Sequence, residues 1–327
     1  MVNIGIVGLG RITTEFHIPS LLKIEGVKIK GICARIRTED RLALAGRIGA
    51  TFYSDYGEMI ALEALDAVYL CSPTDLHRSM AEAAFRKGLH VFCEKPIAIR
   101  VQDAEAICAE ARKSSRILFI GYNRRFSSTY QKVKQFSVER GINILLLEKI
   151  RGSFLRTDKI TFDKKARAEI ELMGPEILEF GIHFVDLAKW ICGKVTKAYF
   201  TRSEIKGITA YPGNGVAVFE HEKGVRSIMY LTLAGGRAVE RSVAVSDDST
   251  CETCGGMFGK SKVRITTGDQ IEEFQSSEEA VEAGGFLQEN RNFIECIVER
   301  RTPTLEDEDI LDTLQLGLEW AGLFRPS

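Results

Sequence analysis

No apolar run in this 327-residue sequence approaches the roughly 20 residues that a bilayer-spanning helix requires, which argues against a membrane protein. An excess of one charge is also missing. The 44 Lys and Arg against 45 Asp and Glu leave a formal charge of -1, so nothing draws the chain generally to nucleic acid or an anionic surface. No internal repeat and no low-complexity linker interrupts the sequence. The first apolar strand begins at Val2, which leaves no space for a secretory leader. The eight cysteines are scattered rather than spaced as a disulfide framework. Together these features imply a reducing, cytoplasmic setting. The close pair Cys251 and Cys254 lacks the two further ligands that a zinc site would need, with His221 the only histidine in that part of the chain, so no metal is expected.

What remains is ordinary globular composition, 45% hydrophobic and 27% charged, in a chain long enough for two domains. Up to residue 121, strand-like and helix-like patterns alternate: Val2 to Val7 and Ile12 to Ile24, Val27 to Cys33 and Thr38 to Ile48, Ala67 to Cys71 and Leu76 to Lys87. Leu89 to Cys93, Val101 to Lys113 and Ile117 to Ile120 continue the series. Such alternation implies right-handed βαβ units and a doubly wound parallel sheet. After Gly121 the texture changes. A strand-like run Asn143 to Ile150 and a helix Pro175 to Cys192 precede longer strands with no helices between them, including a hairpin turning at Lys223 and Gly224. The expectation is an α/β domain over 1–121 and an α+β domain with an open, mainly antiparallel sheet over 122–327. Two helices, Phe286 to Arg300 and Asp307 to Leu323, close the chain, and the polar stretch Arg156 to Arg167 is expected to be a loop.

The first strand runs into Gly8-Leu9-Gly10-Arg11-Ile12-Thr13. Gly8 permits a tight turn, Gly10 lets backbone approach a pyrophosphate, and the helix start supplies unpaired amides, which is the dinucleotide turn of a Rossmann domain. Thr13 stands where the fingerprint usually has Gly or Ala and predicts looser helix-strand packing. At the end of the second strand, Cys33-Ala34-Arg35-Ile36-Arg37-Thr38 carries no acid to hold a ribose 2'-hydroxyl. Arg35 and Arg37 there favour NADP(H) over NAD(H), because guanidinium forks match a 2'-phosphate, with solvated arginines as the alternative.

Further motifs stand in order along nearly the whole chain: Cys71-Ser72-Pro73-Thr74-Asp75-Leu76-His77, Cys93-Glu94-Lys95-Pro96 and Gly121-Tyr122-Asn123-Arg124-Arg125-Phe126. A fourth is the series Gly174-Pro175, Glu179, His183, Asp186, Trp190 and Gly193. With the glycine turn, this set resembles the glucose-fructose oxidoreductase / inositol dehydrogenase / rhizopine-catabolism (Gfo/Idh/MocA) family. The resemblance implies an NAD(P)-dependent oxidoreductase of sugars, polyols or their derivatives, with Lys95 hydrogen-bonded to the reacting oxygen and His183 as proton donor or acceptor. It implies that Ser72, Pro73, Thr74 and His77 line the cofactor groove and that Glu94 contacts it. It also implies a homo-oligomer, dimer or tetramer, formed through the C-terminal sheet.

Glu179, His183 and Asp186 fall on one face of their helix. Family members commonly carry Asp where this chain has Glu179, so the resemblance implies a catalytic or substrate-binding carboxylate there, and Asp186 is expected to be structural. Asn123 and Arg124 are candidate substrate ligands. Arg124, Arg151 and Arg156 are candidates for an acidic or phosphorylated substrate. A dinucleotide-sensing regulator of the same fold, and a glycosidase or epimerase that recycles its cofactor, are the alternative readings.

Overall fold

The computed structural model describes residues 1–150, 176–205, 212–235, 237–255 and 259–324. The expected loop at 156–167, Arg151, Arg156 and the Gly174-Pro175 pair lie outside the described residues. Two compact units divide the chain: Met1–Tyr122 with Phe286–Asp312, and Asn123–Gly285 with Thr313–Ser327. The first boundary falls next to the expected one, but a single cut does not describe the chain, because Phe286–Asp312 returns to the first unit.

The first unit holds a parallel sheet of β1 (Val2–Val7), β2 (Val27–Cys33), β3 (Thr51–Tyr53), β4 (Ala67–Leu70), β5 (His90–Glu94) and β6 (Leu118–Gly121). Its order is β3-β2-β1-β4-β5-β6, that of a Rossmann sheet, with the topological reversal between β1 and β4. Every residue of β4 is buried, as strands covered on both faces must be. After β1 a helical stretch widens into a π turn at Thr13–His17 before α1 (Ile18–Leu22). The helices α2 (Glu39–Ile48), α3 (Tyr56–Leu62), α4 (His77–Arg86) and α5 (Val101–Ser114) follow. Thr38 caps α2 by accepting from the Arg41 N–H, and Gly49 ends it at φ +68°.

Aromatic packing explains the return of the late segment. Tyr69, Phe92 and Phe119 stack along the sheet at 4.5 and 5.5 Å between ring centroids. Phe293 of a late helix, Phe286–Glu299, meets Tyr69 edge-on at 5.5 Å. Phe286 stacks on Phe16 at 4.7 Å. These are large apolar surfaces, and their burial favours recruiting the late helix.

The second unit begins with α6 (Ser128–Arg140), β7 (Ile144–Ile150) and α7 (Glu176–Cys192). Seven more strands follow: β8 (Val195–Glu204), β9 (Pro212–His221), β10 (Arg226–Thr232), β11 (Val239–Val245), β12 (Ser249–Gly255), β13 (Ser261–Thr267) and β14 (Gln270–Gln275). They form one eight-stranded sheet in the order β14-β13-β12-β11-β7-β10-β9-β8. The sheet is antiparallel except for the interior pair β7 and β10, which run parallel. The hairpin turns at Gly224, φ +77°, as expected from Lys223-Gly224. Leu145, Leu147, Phe219 and Met229 are buried on one face, against which α7 packs. The other face shows Leu146, Tyr199 and Tyr230 exposed. Three helices complete the described chain: α8 (Ala280–Ala283), α9 (Phe286–Glu299) and α10 (Asp307–Ala321). No helix of the described residues is long and apolar enough to cross a membrane.

Candidate functional site

The glycine turn sits at the reversal of strand order. Gly8 has φ +92°, and a Cβ there would lie 2.1 Å from the Cys71 carbonyl oxygen, so only glycine fits. A Cβ on Gly10 would meet nothing within 4 Å, so the backbone there stands beside open space that a pyrophosphate can enter. The unusual Thr13 is buried and its hydroxyl donates to the Gly8 carbonyl at 2.7 Å, latching the helix onto the turn. The widening into a π turn at Thr13–His17 accommodates this larger residue where the fingerprint expects a smaller one. Arg11 is exposed and donates to Glu15 at 2.8 Å, while Ile12 is half-buried beside it.

Beyond β2, Arg35 and Arg37 are exposed, and neither lines a cavity of about 440 Å³ beside them. Leu9, Ile36 and Leu44 give that cavity apolar walls, Thr14 and Thr38 line it, and Asp40, Arg41 and Arg47 supply its charges. Arg41 Nη1 donates to the Ile36 carbonyl at 2.6 Å, which orients its guanidinium. Arg41 and Arg47 were not marked by the sequence pattern, because they lie inside a helix where arginine is ordinary.

After β4, Ser72 is half-buried, Pro73 is exposed, and Thr74 is buried at the start of a short 3-10 turn. His77, expected to line the groove, lies 1% exposed beneath it. Its Nε2 faces the Ser72 carbonyl at 3.0 Å, and its Nδ1 faces the Pro96 and Ile97 carbonyls, each at 3.2 Å. The ring thereby lies between the Ser72 loop and the turn that carries Lys95, and in its neutral form it donates to one of the two. Burial pushes the His77 ring below its ordinary pKa against the pull of those carbonyls, which favours the neutral form.

At the end of β5 the Glu94 carboxylate turns inward. One oxygen accepts the Lys95 N–H at 3.0 Å, and the other meets His17 Nε2 at 2.8 Å. Burial alone would raise the Glu94 carboxyl, but the His17 hydrogen bond and the Lys95 charge hold it below its ordinary value. Gly121 leaves room for this carboxylate, since a Cβ there would lie 3.3 Å from Glu94 Cδ. Lys95 is half-buried and precedes a cis bond to Pro96.

In the second unit, α7 carries half-buried Glu179 and buried His183 one turn apart. Gly181, between them, seats Trp320: a Cβ there would lie 2.8 Å from that ring. Asp186 accepts from Arg125 Nε at 2.8 Å and from Nη2 at 2.7 Å, a structural pairing that agrees with its expected role. Asn123 and Arg124, expected at the substrate, are both buried and engaged within this unit. Asn123 Nδ2 donates to the Gly284 carbonyl at 2.7 Å, and Arg124 makes two 2.8 Å hydrogen bonds to Glu240. Lys149 and Tyr130 also donate to Glu240. Burial would raise the Glu240 carboxyl, yet Arg124 and Lys149 hold it well below the usual carboxylate range. A basic residue in a polar motif reads as a ligand contact from sequence, whereas here its partner lies 116 residues further on. Glu179 and His183 therefore stand as the candidate substrate-facing groups of this unit.

Cys251 and Cys254 lie on opposite faces of β12, one buried and the other exposed, so that strand does not bring them together. Among the described residues no group of three or more His, Cys, Asp or Glu is arranged to hold a metal.

Residues 2–122 match the model of the oxidoreductase family with an NAD-binding Rossmann fold. This N-terminal segment, about a third of the chain, is thereby assigned to the Gfo/Idh/MocA family of oxidoreductases. Among similar proteins, the myo-inositol 2-dehydrogenase of Thermotoga maritima is 32% identical over 205 residues, covering 62% of this chain and 58% of that one. The match thus spans less than two thirds of that relative. The 4-carboxy-2-hydroxymuconate-6-semialdehyde dehydrogenase of a Sphingobium species is 26% identical over 304 residues, 91% of each chain. In fold, an Agrobacterium radiobacter oxidoreductase solved with NAD+, L-tartaric acid and magnesium superimposes with a TM-score of 0.82 at 18% identity, covering 98% and 96% of the two chains.

Proposed function

We propose that this protein is, over its whole length, a Gfo/Idh/MocA oxidoreductase: an NAD(P)-dependent dehydrogenase or reductase acting at a carbinol or carbonyl carbon of a sugar, polyol or sugar derivative, with NADP(H) the preferred cofactor. The observation that carries the reading is the combination of open space over Gly10 with the Lys95 turn in one Rossmann unit. The nicotinamide, when bound, supplies the hydride acceptor or donor. Backbone at Gly10 and the helix start from Arg11 through Ile12 and Thr13 hold its pyrophosphate. Ser72, Pro73 and Thr74 border the cofactor, with His77 and Glu94 supporting them from below. Lys95 hydrogen-bonds the reacting oxygen, and His183, oriented by Glu179, exchanges its proton. The dehydrogenase names of both relatives support this class of activity, and the myo-inositol of the first supports a polyol or sugar substrate.

Arg41, with Arg35 and Arg37 nearby and no acid at the end of β2, supports the 2'-phosphorylated cofactor. A homo-oligomer is supported by the outer face of the second sheet, where Val243, Leu146, Ile228, Val218 and Tyr199 stand in register across five adjacent strands. A thermal-shift comparison of NADP(H) with NAD(H), followed by a sugar and polyol panel read at the reduced-nicotinamide absorbance, tests the assignment. Stabilisation by NADP(H) and turnover of at least one polyol or sugar are expected. Absence of any nicotinamide binding would remove it.

A further inference from the structure

His17 has no place in the sequence argument, yet it lies fully buried under the Lys95 turn. Tyr69, Phe92 and Phe286 surround it edge-on, with centroids 5.7, 5.1 and 5.5 Å away. A polar ring in an aromatic cage needs both nitrogens satisfied. Nε2 meets Glu94 Oε1 at 2.8 Å. Nδ1 meets the Asn290 amide of α9, with Nδ2 at 3.1 Å and Oδ1 at 3.4 Å.

The Asn290 orientation follows from its other bond, in which Nδ2 donates to the Phe286 carbonyl at 2.7 Å. An amide nitrogen carries two hydrogens, and the second points to His17. His17 Nδ1 is then an acceptor, and Nε2 must carry the proton that it donates to Glu94. The other Glu94 oxygen accepts the Lys95 N–H. One line of donors thus runs from Asn290 through His17 to Glu94, and Glu94 holds the backbone at Lys95.

We propose that Asn290 and His17 are positioning residues for Lys95: the Asn290 amide fixes the Nε2–H tautomer of His17, and that N–H holds the Glu94 carboxylate in the orientation that anchors the lysine turn. The role of Lys95 in proton transfer rests on the function proposed above, whereas the anchoring itself does not. Neither residue touches substrate. The late helix α9 thereby becomes part of the catalytic support, which gives a chemical reason for its return to the first unit.

Two measurements on the ligand-free full chain test the anchoring whatever the protein catalyses. In ¹⁵N-histidine-labelled protein, His17, assigned by its loss in His17→Phe, should show a protonated Nε2 and an unprotonated Nδ1. Asn290→Asp, which offers Nδ1 an acceptor, should protonate Nδ1 as well. Hydrogen exchange at the Lys95 amide should quicken by about tenfold or more in His17→Phe, which fills the cage without a donor, and stay within about threefold in His17→Gln, which restores an N–H. A wild-type His17 protonated at Nδ1, or unchanged Lys95 exchange in His17→Phe, would overturn the proposal. With a substrate in hand, His17→Phe should lower kcat by about 10- to 100-fold with little change in KM, and His17→Gln should recover most of it. Equal loss in both variants would also count against it. If NADP(H) and NAD(H) fail to bind while Lys95 exchange responds as expected, the function fails and the anchoring stands.

Discussion

Glu94 Oε1 and His17 Nε2 lie 2.8 Å apart, joining the end of β5 to the helix that follows the glycine turn. The two motifs of the Rossmann unit that are expected to meet a cofactor, one at its pyrophosphate and one at its reacting end, therefore share one buried hydrogen bond. A change at either end should be felt at the other, and the consequences can be measured.

The two glycines of the turn should separate fold from ligand. Gly8→Ala places a methyl 2.1 Å from the Cys71 carbonyl oxygen at positive φ, and should cost at least about 1–3 kcal/mol of stability. Gly10→Ala meets no protein atom within 4 Å, so its melting temperature should hold while affinity for the reduced cofactor falls. Denaturant unfolding and nicotinamide fluorescence titration check the pair.

Arg41 should discriminate between cofactors more than Arg35 or Arg37, since it lines the 440 Å³ cavity and they do not. Arg41→Ala should weaken NADP+ binding by about 10- to 100-fold, the worth of a hydrogen bond to a charged group, and NAD+ binding much less. Equal loss for both would assign Arg41 a role in the fold of the loop instead.

The Glu240 cluster predicts a pH dependence. Folding lowers this carboxyl below its unfolded value, so the stability it contributes is complete above about pH 4.3 and is lost as pH falls toward the folded value. Glu240→Gln should be less stable at pH 7 by about 3–5 kcal/mol, because Arg124 and Lys149 lose a buried partner. The gap from wild type should narrow by pH 3. Parallel stability curves in acid would contradict the pairing.

If the outer face of the second sheet joins two copies, a charge in the middle of its apolar row should separate them. Leu146→Lys lies between Val243 and Ile228 across the sheet. It should raise the dissociation constant at least about tenfold without disturbing the buried face, as light scattering on a concentration series would show.

How far the sequence was legible follows from the range of each interaction. The Gly8 turn, the alternation that becomes β1, β2, β4, β5 and β6, the Lys95 turn and the α7 stripe are local patterns with a period or a steric rule, and each could be read directly. The strands β3, β12 and β14 were not expected, and β3 has only three residues, too few to show a period. In β12 polar side chains such as Thr253 occupy buried positions, and β14 is exposed along its whole length, so neither shows apolar alternation. The parallel pairing of β7 with β10 joins segments more than 75 residues apart, for example Leu147 with Met229, and leaves no local signature. Arg124 and His17 show the same limit at single positions. Their partners, Glu240 and Asn290, are 116 and 273 residues away, and only folding reveals that the first is structural and the second supports the site.

The most direct test of the central assignment is Lys95→Met, which keeps the length of the side chain and removes its ammonium. NADPH titration of the variant should give an affinity within about threefold of wild type, while turnover of the substrate found in the polyol and sugar panel should fall by about 100-fold or more. Wild-type turnover with the ammonium gone would contradict the account.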